Sequence, residues 1–259
     1  MNLSRRAFVG GVFSIVTTTS SSGLSRAMSA GPAVQLVRLR HQGDPLSNES
    51  GVDELAREIS LRTSVDIAEE AMTLSADDPM MAKSPMAILT GRGKVSFSIT
   101  ERDALRRWLE LGGLLWIDNA GEQEASKAFD ASVRRELALI LGGRSFQRIS
   151  PEHVLYRSFY RLDYAAGRVI RRPYLEGITV GRRLAVILSH NDTFAAFERG
   201  ANGRFESRPT PGGENQREMA FRFGVNAVLY GLCLHYKDDQ VHIDYLLHRR
   251  KWKIRRPEP

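Results

Sequence analysis

Cysteine is nearly absent from this chain of 259 residues, because Cys233 is its single example. One thiol cannot form an internal disulfide, so packing and hydrogen bonding must hold the fold together. Cys233 lies among Leu229, Leu232 and Leu234 in a late apolar segment with helical spacing. Thiols in apolar surroundings are poorly reactive, and we therefore expect Cys233 to be buried and inert rather than a nucleophile.

The sequence also lacks the short motifs that identify common enzyme classes. It contains no GxxxxGK[ST] loop and no GxGxxG turn, so it shows no specific nucleotide-binding pattern. It contains no HExxH sequence and no CxxC pair, which are patterns that predict zinc sites. It also contains no GxSxG elbow, which is the pattern of serine hydrolases of the elbow type. These absences predict no cofactor, and they leave open whether a metal binds.

Long apolar runs are lacking as well, even near the start of the chain. Arg5 and Arg6 precede a weakly apolar stretch, residues 8–16, which is far shorter than the roughly 20 residues that a membrane-spanning helix needs. No acidic residue occurs before Asp44. Residues 1–30 are therefore predicted to be a twin-arginine (Tat) signal peptide. The prediction implies the Tat machinery as a partner and a periplasmic or otherwise exported protein; an uncleaved membrane anchor is the alternative.

Positive charge is concentrated at the two ends of the chain. The formal net charge is +7; residues 1–30 contribute three positive charges and the tail 248–259 a net five, so residues 31–247 carry −1. Nucleic-acid-binding domains carry basic residues on a folded face, so this distribution argues against a nucleic-acid partner. The basic tail could contact anionic lipid or an acidic partner, or it could be a solvated chain end.

Strand-like and helix-like segments alternate between these ends, which predicts a single α/β domain over residues 31–247. The pattern is typical of a mostly parallel, doubly wound sheet between two helical layers. Residues 150–183 are long for a connection and are either an ordered functional insertion or a region that contains an unpredicted element. Strands are predicted at residues 34–39, 65–74, 86–89, 114–117 and 184–188, and helices at 52–61, 100–111, 129–141 and 214–235.

The clearest helix-to-strand unit lies in residues 98–121. Thr100 is the predicted N-cap of its helix, and Asp103 is placed three residues later, where a capping-box acid reaches back. The pair Gly112-Gly113 ends the helix, because glycine adopts the left-handed conformation without steric cost. The strand that follows runs into Asp118, and ligands of open α/β sheets bind beyond the carboxyl ends of parallel strands.

Polar side chains follow four of the predicted strands, and a parallel sheet would bring them to one edge. Two carboxylates and up to three imidazoles there could perform acid/base chemistry or bind a divalent ion. Asp118, His153 and Asp192 are the catalytic candidates, with His153 reaching the edge from residues 150–183. The candidate ligand-binding residues are Arg40, His41, Thr90, Gly91, Asp118, Asn119, His190, Asn191 and Asp192.

Each of these residues also has a structural alternative. Asp118-Asn119 and Asn191-Asp192 could cap turns, Arg40 could form an ion pair with Asp118, and His153 could cap a short helix. Asn226 and Tyr230 lie one turn apart on the last long helix, and we interpret both as structural, because polar groups on a packed face need partners.

With these elements placed, the chain resembles the bacterial domain-of-unknown-function family numbered 4159. The resemblance implies a flavodoxin-like, class I glutamine-amidotransferase-like fold and no established activity. Amidotransferases of that fold carry a cysteine nucleophile on a strand-to-helix turn, but residues 90–93 contain neither Cys nor Ser. The resemblance is carried by Leu39-Arg40-His41, Thr90-Gly91, Leu105-Arg106, Gly112-Gly113, Ile117-Asp118, Pro151-Glu152-His153, the run from Ser189 to Asp192, Gly224-Val225-Asn226 and Tyr230.

Two functional classes remain. The first is an exported, non-catalytic α/β domain that binds a small ligand or a protein partner at the carboxyl edge of its sheet. The second is a metal- or acid/base-assisted hydrolase that uses Asp118, His153 and Asp192. The absence of a nucleophile motif favours the first class.

Overall fold

A computed structural model describes residues 33–43 and 47–233 of the chain. Three short 3-10 helices, Pro79–Lys83, Val154–Arg157 and Phe194–Ala196, lie between the regular elements. The predicted signal peptide with Arg5 and Arg6, and the basic tail, lie outside the described residues. The regular elements are β1 (Val37–Leu39), α1 (Glu49–Arg62), β2 (Met72–Leu74), β3 (Met86–Gly91), α2 (Ile99–Glu110), β4 (Leu114–Asn119), α3 (Gln123–Ile140), β5 (Gln147–Arg148), β6 (Glu176–Val180), β7 (Arg183–Ser189) and α4 (Gly213–Leu232).

A single seven-stranded sheet forms the centre of the domain, in the order β2-β1-β3-β4-β7-β6-β5. The first five strands of that order are parallel, whereas β6 and β5 are antiparallel. The predicted α/β class with a mostly parallel sheet is confirmed, and the order of the parallel strands is compatible with a flavodoxin-like fold. Strand order reverses at β1, so β1 and β3 flank a point where such sheets bind ligands.

Helices cover both faces of this sheet, because β3, β4 and β7 are apolar on both sides. One core packs α1 and α4 against the sheet and includes Leu55, Trp116 and Val225. The other packs α2 and α3 against the opposite face and includes Leu105 and Leu137. No helix in the described residues has both the length and the apolar character needed to cross a membrane.

Helix α2 begins earlier than its sequence pattern predicts. Ser98 is the N-cap: its hydroxyl accepts the Glu101 N–H at 3.1 Å, and the Glu101 carboxylate accepts the Ser98 N–H at 2.7 Å. Thr100 therefore lies inside the first turn, and its assignment as the cap, with Asp103 as the capping-box acid, is wrong. The reciprocal pair satisfies two N–H groups that the helix leaves open.

The structure decides between the alternatives for residues 150–183 and corrects the prediction for Cys233. Residues 150–183 contain β6, a strand that the sequence pattern missed, and a 3-10 helix. Helix α4 ends at Leu232, so Cys233 is its C-cap and is exposed. The prediction of a buried thiol is wrong because the helix ends one residue before Cys233. The interpretation of Asn226 as structural is confirmed: its side chain binds the backbone of Phe159 and Tyr160.

Candidate functional site

The parallel register brings the predicted polar residues to one edge of the sheet. Thr90 of β3 pairs with Asp118 of β4, and Asp118 pairs with Ser189 of β7. The loops after β1, β3, β4 and β7 therefore leave the sheet side by side. The candidate site is this carboxyl edge, and the surroundings of each side chain decide what it can do there.

Asp118 is fully buried at this edge. Its Oδ2 accepts the N–H of Phe194 at 3.2 Å. Burial raises the pKa of Asp118 to about 7, the charge of Asp192 adds to the increase, and hydrogen bonds from Phe194, Ser189 and Thr193 oppose it. Asp118 is therefore a carboxyl group that titrates near neutral pH, enclosed under the loop that follows β7.

Asp192 is 1% exposed and is held by two side chains. Its Oδ2 lies 2.5 Å from Nε of Arg168, and its Oδ1 accepts a hydrogen bond from Asn48 at 2.7 Å. Its backbone has a positive φ of 51°, a conformation that aspartate tolerates better than bulky residues do. Asp192 is thus held in place by two partners, which suits it to positioning its neighbours.

The hydrogen bonds of Asp192 extend into a network that joins the loops of four strands. Asn48, beyond β1, accepts at Oδ1 from Arg92, beyond β3, at 3.0 Å. Arg168 also forms an ion pair with Glu122, beyond β4, with a distance of 2.8 Å between Nη2 and Oε1. The hydrogen bond to Arg168 lowers the pKa of Glu122. This chain of charge-assisted bonds fixes the relative positions of loops that are far apart in sequence.

A groove of about 540 Å³ lies over this network. Two guanidinium groups and three carboxylates line it, so its surface presents both signs of charge. Burial raises the pKa of Glu198, and the charge of Glu206 adds to that increase. The volume lies within the roughly 300–1,000 Å³ that is usual for small-molecule sites. The groove, here called the carboxyl-edge groove, is lined by Arg92, Ala120, Glu122, Ala125, Arg168, Ala195, Glu198, Glu206 and Ser207.

Sequence reasoning missed every residue that lines the groove. Arg92 directly follows the predicted Gly91, and Glu122 follows β4, so the strand-end rule could have found both. Arg168, Glu198 and Glu206 belong to irregular segments that contain no motif and no periodic pattern. Only the tertiary structure places them beside β4.

Three of the predicted ligand-binding residues have side chains that form hydrogen bonds to backbone groups. Asn119 binds Gly121 N–H and Ser126 carbonyl oxygen. Asn191 accepts the N–H groups of Arg171 and Arg172 and donates to two carbonyl oxygens. Thr90 donates to the carbonyl of Ser47, and a Cβ at Gly91 would lie 2.6 Å from the Phe129 ring. Asn119 therefore caps the turn that follows it, as its structural alternative predicts, whereas Asn191 joins its loop to residues 165–172.

Arg40 and His41 lie beyond β1, before Asn48. Arg40 is exposed, and among the described residues no ion pair joins it to Asp118, so that hypothetical pairing is wrong. His41 is partly buried, and its ring meets Phe97 edge to face, with the centroids 6.4 Å apart. Among the described residues that follow β1, Asn48 joins the network through its hydrogen bonds.

His190 points towards α3 and away from Asp118. Its Nε2 lies 2.9 Å from a Glu176 carboxylate oxygen and 3.8 Å from one of Asp130. These three residues could offer metal ligands within 4.8 Å of one another. However, Glu176 also accepts from Arg134 at 2.7 Å and Arg172 at 2.8 Å. Burial lowers the pKa of His190, and we interpret the cluster as an ion-pair network in which two arginines already compensate the acids.

His153 lies near the amino end of β7, whereas Asp118 lies at the carboxyl edge of the sheet. Its predicted approach to Asp118 is therefore wrong. Its ring packs edge to face on Tyr230, with centroids 5.5 Å apart, and the Tyr230 hydroxyl contacts the backbone of Leu184 at the start of β7. Asp118 pairs with Ser189 at the other end of that strand, roughly 16 Å away by strand rise. His153 Nδ1 accepts the N–H of Leu155, so His153 is the cap of a short helix.

The fold and site define an α/β protein with a charged groove at the carboxyl edge of its sheet and with no Cys or Ser elbow at the β3 turn. The family described as Domain of unknown function (DUF4159) matches residues 35–232. The chain therefore belongs to this family, as the resemblance of its motifs implied. No curated protein matches the chain.

Proposed function

We propose that the protein is an exported, non-catalytic α/β domain that binds a small, charged ligand in the carboxyl-edge groove. The observation that carries the proposal is the groove itself. It lies over a hydrogen-bonded network that fixes its walls, and both cationic and anionic side chains line it. Preorganised walls reduce the entropy that binding must offset. A ligand with both an acidic and a basic group would complement such a surface.

The family resemblance supports a finer fold assignment. The parallel strands follow the order 2-1-3-4-7, with two antiparallel strands added at one edge. We propose that this is the class I glutamine-amidotransferase-like variant of the flavodoxin-like arrangement. The chain lacks the nucleophile that such a fold carries in amidotransferases, and this supports binding over catalysis.

The alternative, a hydrolase using Asp118, His153 and Asp192, has weaker support. Asp118 has a pKa suited to acid/base work, but it is fully buried. His153 lies at the other edge of the sheet, and Asp192 is held by Arg168 and Asn48. Catalytic groups that act together must reach the same reacting atoms, and the separation of His153 from Asp118 argues against one shared constellation.

The proposal is tested by filling the groove. Ala125 lines it near the start of α3, whereas Ala131 is exposed on the same helix and does not. We would screen amino acids, dipeptides, sugar phosphates and nucleotides by thermal unfolding of the wild-type protein, Ala125→Trp and the control Ala131→Trp. A ligand at 100 times its Kd stabilises by about 2.7 kcal/mol, which corresponds to roughly 5–10 °C in Tm for a domain of this size.

The expected result is a compound that raises the Tm of the wild-type protein and of Ala131→Trp but not of Ala125→Trp. Equal shifts in all three proteins would place binding elsewhere. If no compound raises the Tm of the wild-type protein, the small-ligand proposal fails. Binding of a protein partner is then the hypothesis to test.

A further inference from the structure

A second cavity, of about 470 Å³, lies at the amino ends of β3 and β4. It is bounded by the segment 76–85 and by the C-terminal half of α2, and Leu114 N–H bonds to the carbonyl of Pro85 at its base. The carboxyl-edge groove lies at the other end of these six-residue strands, on the order of 20 Å away by strand rise. The two cavities are therefore separate sites.

The indole of Trp108 forms a fixed aromatic wall of this amino-edge cavity. Its Nε1 donates to the carbonyl of Ser84 at 3.0 Å, so the polar atom of the ring is satisfied. On the other side, a Cβ at Gly113 would lie 2.3 Å from the indole, so only glycine allows the ring to lie there. Met81 and Pro85 add apolar surface. The wall is therefore formed before any ligand arrives.

Two positively charged side chains lie beside these apolar residues. Lys83 and Arg107 line the cavity and are exposed. Within the described part of the chain, neither takes part in an ion pair. Of the two acids that also line the cavity, Asp78 accepts the N–H of Met80 at 2.8 Å as a helix cap. Asp77 is exposed and would oppose an anionic ligand.

Leu111 marks the mouth of the cavity. It is the C-cap of α2 and is 80% exposed, so its side chain offers apolar surface beside the cavity. An apolar chain lying on Trp108 would cover Leu111 on its way out of the cavity. The anionic end of such a chain would lie near Arg107, which is one helical turn before Leu111.

We propose that the amino-edge cavity binds an amphipathic anion, an apolar chain or ring that carries one carboxylate. The apolar part lies against Trp108, Met81 and Leu111, and the carboxylate binds Arg107 and Lys83. Burial of apolar surface supplies most of the affinity, and the two cations select the charged molecule over its neutral analogue. This site is independent of the ligand proposed for the carboxyl-edge groove.

The test compares octanoate with 1-octanol, which has the same chain length and no charge, by isothermal titration calorimetry. The wild-type protein should bind octanoate about two- to tenfold more tightly than 1-octanol, as expected for exposed ion pairs. The double variant Lys83→Gln/Arg107→Gln should lose this preference and keep its affinity for 1-octanol. The control Lys127→Gln/Arg135→Gln removes two exposed cations of α3 and should keep the preference.

Two further variants sharpen the result. Asp77→Asn removes the exposed acid that would repel the carboxylate and should tighten octanoate binding. Ala104→Trp places an indole in the cavity and should weaken both probes, provided that circular dichroism shows it folded. If it does not fold, the comparison of the double variant with its control decides the question.

Three outcomes would overturn the proposal. The wild-type protein could bind neither probe, it could bind both equally, or folded Ala104→Trp could bind octanoate as the wild-type protein does. Sedimentation velocity tests whether a second copy of the chain occupies the cavity instead. That assignment requires a wild-type dimer that Ala104→Trp abolishes, together with no binding of octanoate.

Discussion

Arg168 and Asp192 form an ion pair that fastens the irregular segment before β6 to the loop after β7. The Nε–Oδ2 distance is 2.5 Å, and Arg168 N–H also donates to the Asp192 carbonyl at 3.1 Å. The Asp192 carboxylate is 1% exposed, and its charge raises the pKa of nearby Asp118. Arg168 therefore compensates a buried charge and holds one wall of the carboxyl-edge groove.

Removing Arg168 should be strongly destabilising. Arg168→Met would leave Asp192 buried without its cation, at a cost of about 3 kcal/mol, the lower part of the range for broken buried pairs, since Arg168 is itself partly exposed. Urea unfolding at neutral pH measures the loss. Lys127→Met is the control, because its pair with Glu124 is 75% and 85% exposed and should contribute about 0.5 kcal/mol or less. Equal effects of the two variants would contradict this assignment.

The pKa of Asp118 predicts how stability changes with pH. A carboxyl group whose pKa is raised on folding, from 3.8 to about 7, favours the folded state at low pH. That stabilisation is complete below about pH 4 and is lost as pH rises towards 7. Asp118→Asn keeps the shape and removes the titration, so at pH 8 it should be more stable than the wild-type protein by up to about 4 kcal/mol.

The measurement for Asp118 is the difference in unfolding free energy between the wild-type protein and Asp118→Asn at pH 4, 6 and 8. Groups that do not interact with Asp118 cancel in that difference. Asp163→Asn is the control for the loss of an exposed carboxyl group. A difference for Asp118→Asn that stays the same at all three pH values would contradict the raised pKa of Asp118.

The structure and the sequence pattern give different N-caps for α2, Ser98 and Thr100, and mutation can distinguish them. Ser98→Ala removes the capping hydroxyl and should cost about 1 kcal/mol of stability. Thr100→Ala replaces an exposed residue of the first turn and should change stability by less than about 0.5 kcal/mol. Thermal unfolding compares the two variants. A larger loss for Thr100→Ala would restore Thr100 as the cap.

Cys233 should be accessible to a thiol reagent in the folded protein. Because it is exposed at the end of α4, Ellman's reagent should label one thiol per chain in native buffer within about an order of magnitude of the rate in urea. Cys233→Ser should abolish labelling and change stability by less than about 0.5 kcal/mol. Labelling that requires urea would show that the thiol is covered.

Export by the twin-arginine route is predicted from the sequence alone. Replacing Arg5 and Arg6 by lysine should leave the protein in the cytoplasm, because the paired arginines are the recognition feature of the route. Cell fractionation measures the distribution, and Arg26→Lys is the control. Normal export of the doubly substituted protein would refute the prediction.

Local patterns in the sequence predict the class of the fold and most of its elements. Apolar spacing of period 3.6 and unbroken apolar runs are local properties, so α2 to β4 could be read from residues 98–121. Parallel strands end on one edge, so Asp118 and Asp192 could be placed near each other. The two antiparallel strands were missed, because β5 has only two residues, both exposed, and β6 buries only Gly177 and Ile178, too few to form an apolar run.

What each polar side chain does at that edge depends on contacts between segments that are distant in the chain. Asn119 and Asn191 resemble ligand-binding residues in the sequence, yet nearby backbone groups take up their hydrogen bonds. His190 and Asp118 are close in the sheet but face different neighbours, and His153 caps a helix at the opposite edge. The groove is assembled from Arg92, Glu122, Arg168, Glu198 and Glu206, which lie far apart in the chain. The reason is physical: secondary structure follows from local backbone preference and periodicity, whereas a side chain's partners depend on which distant segment packs against it.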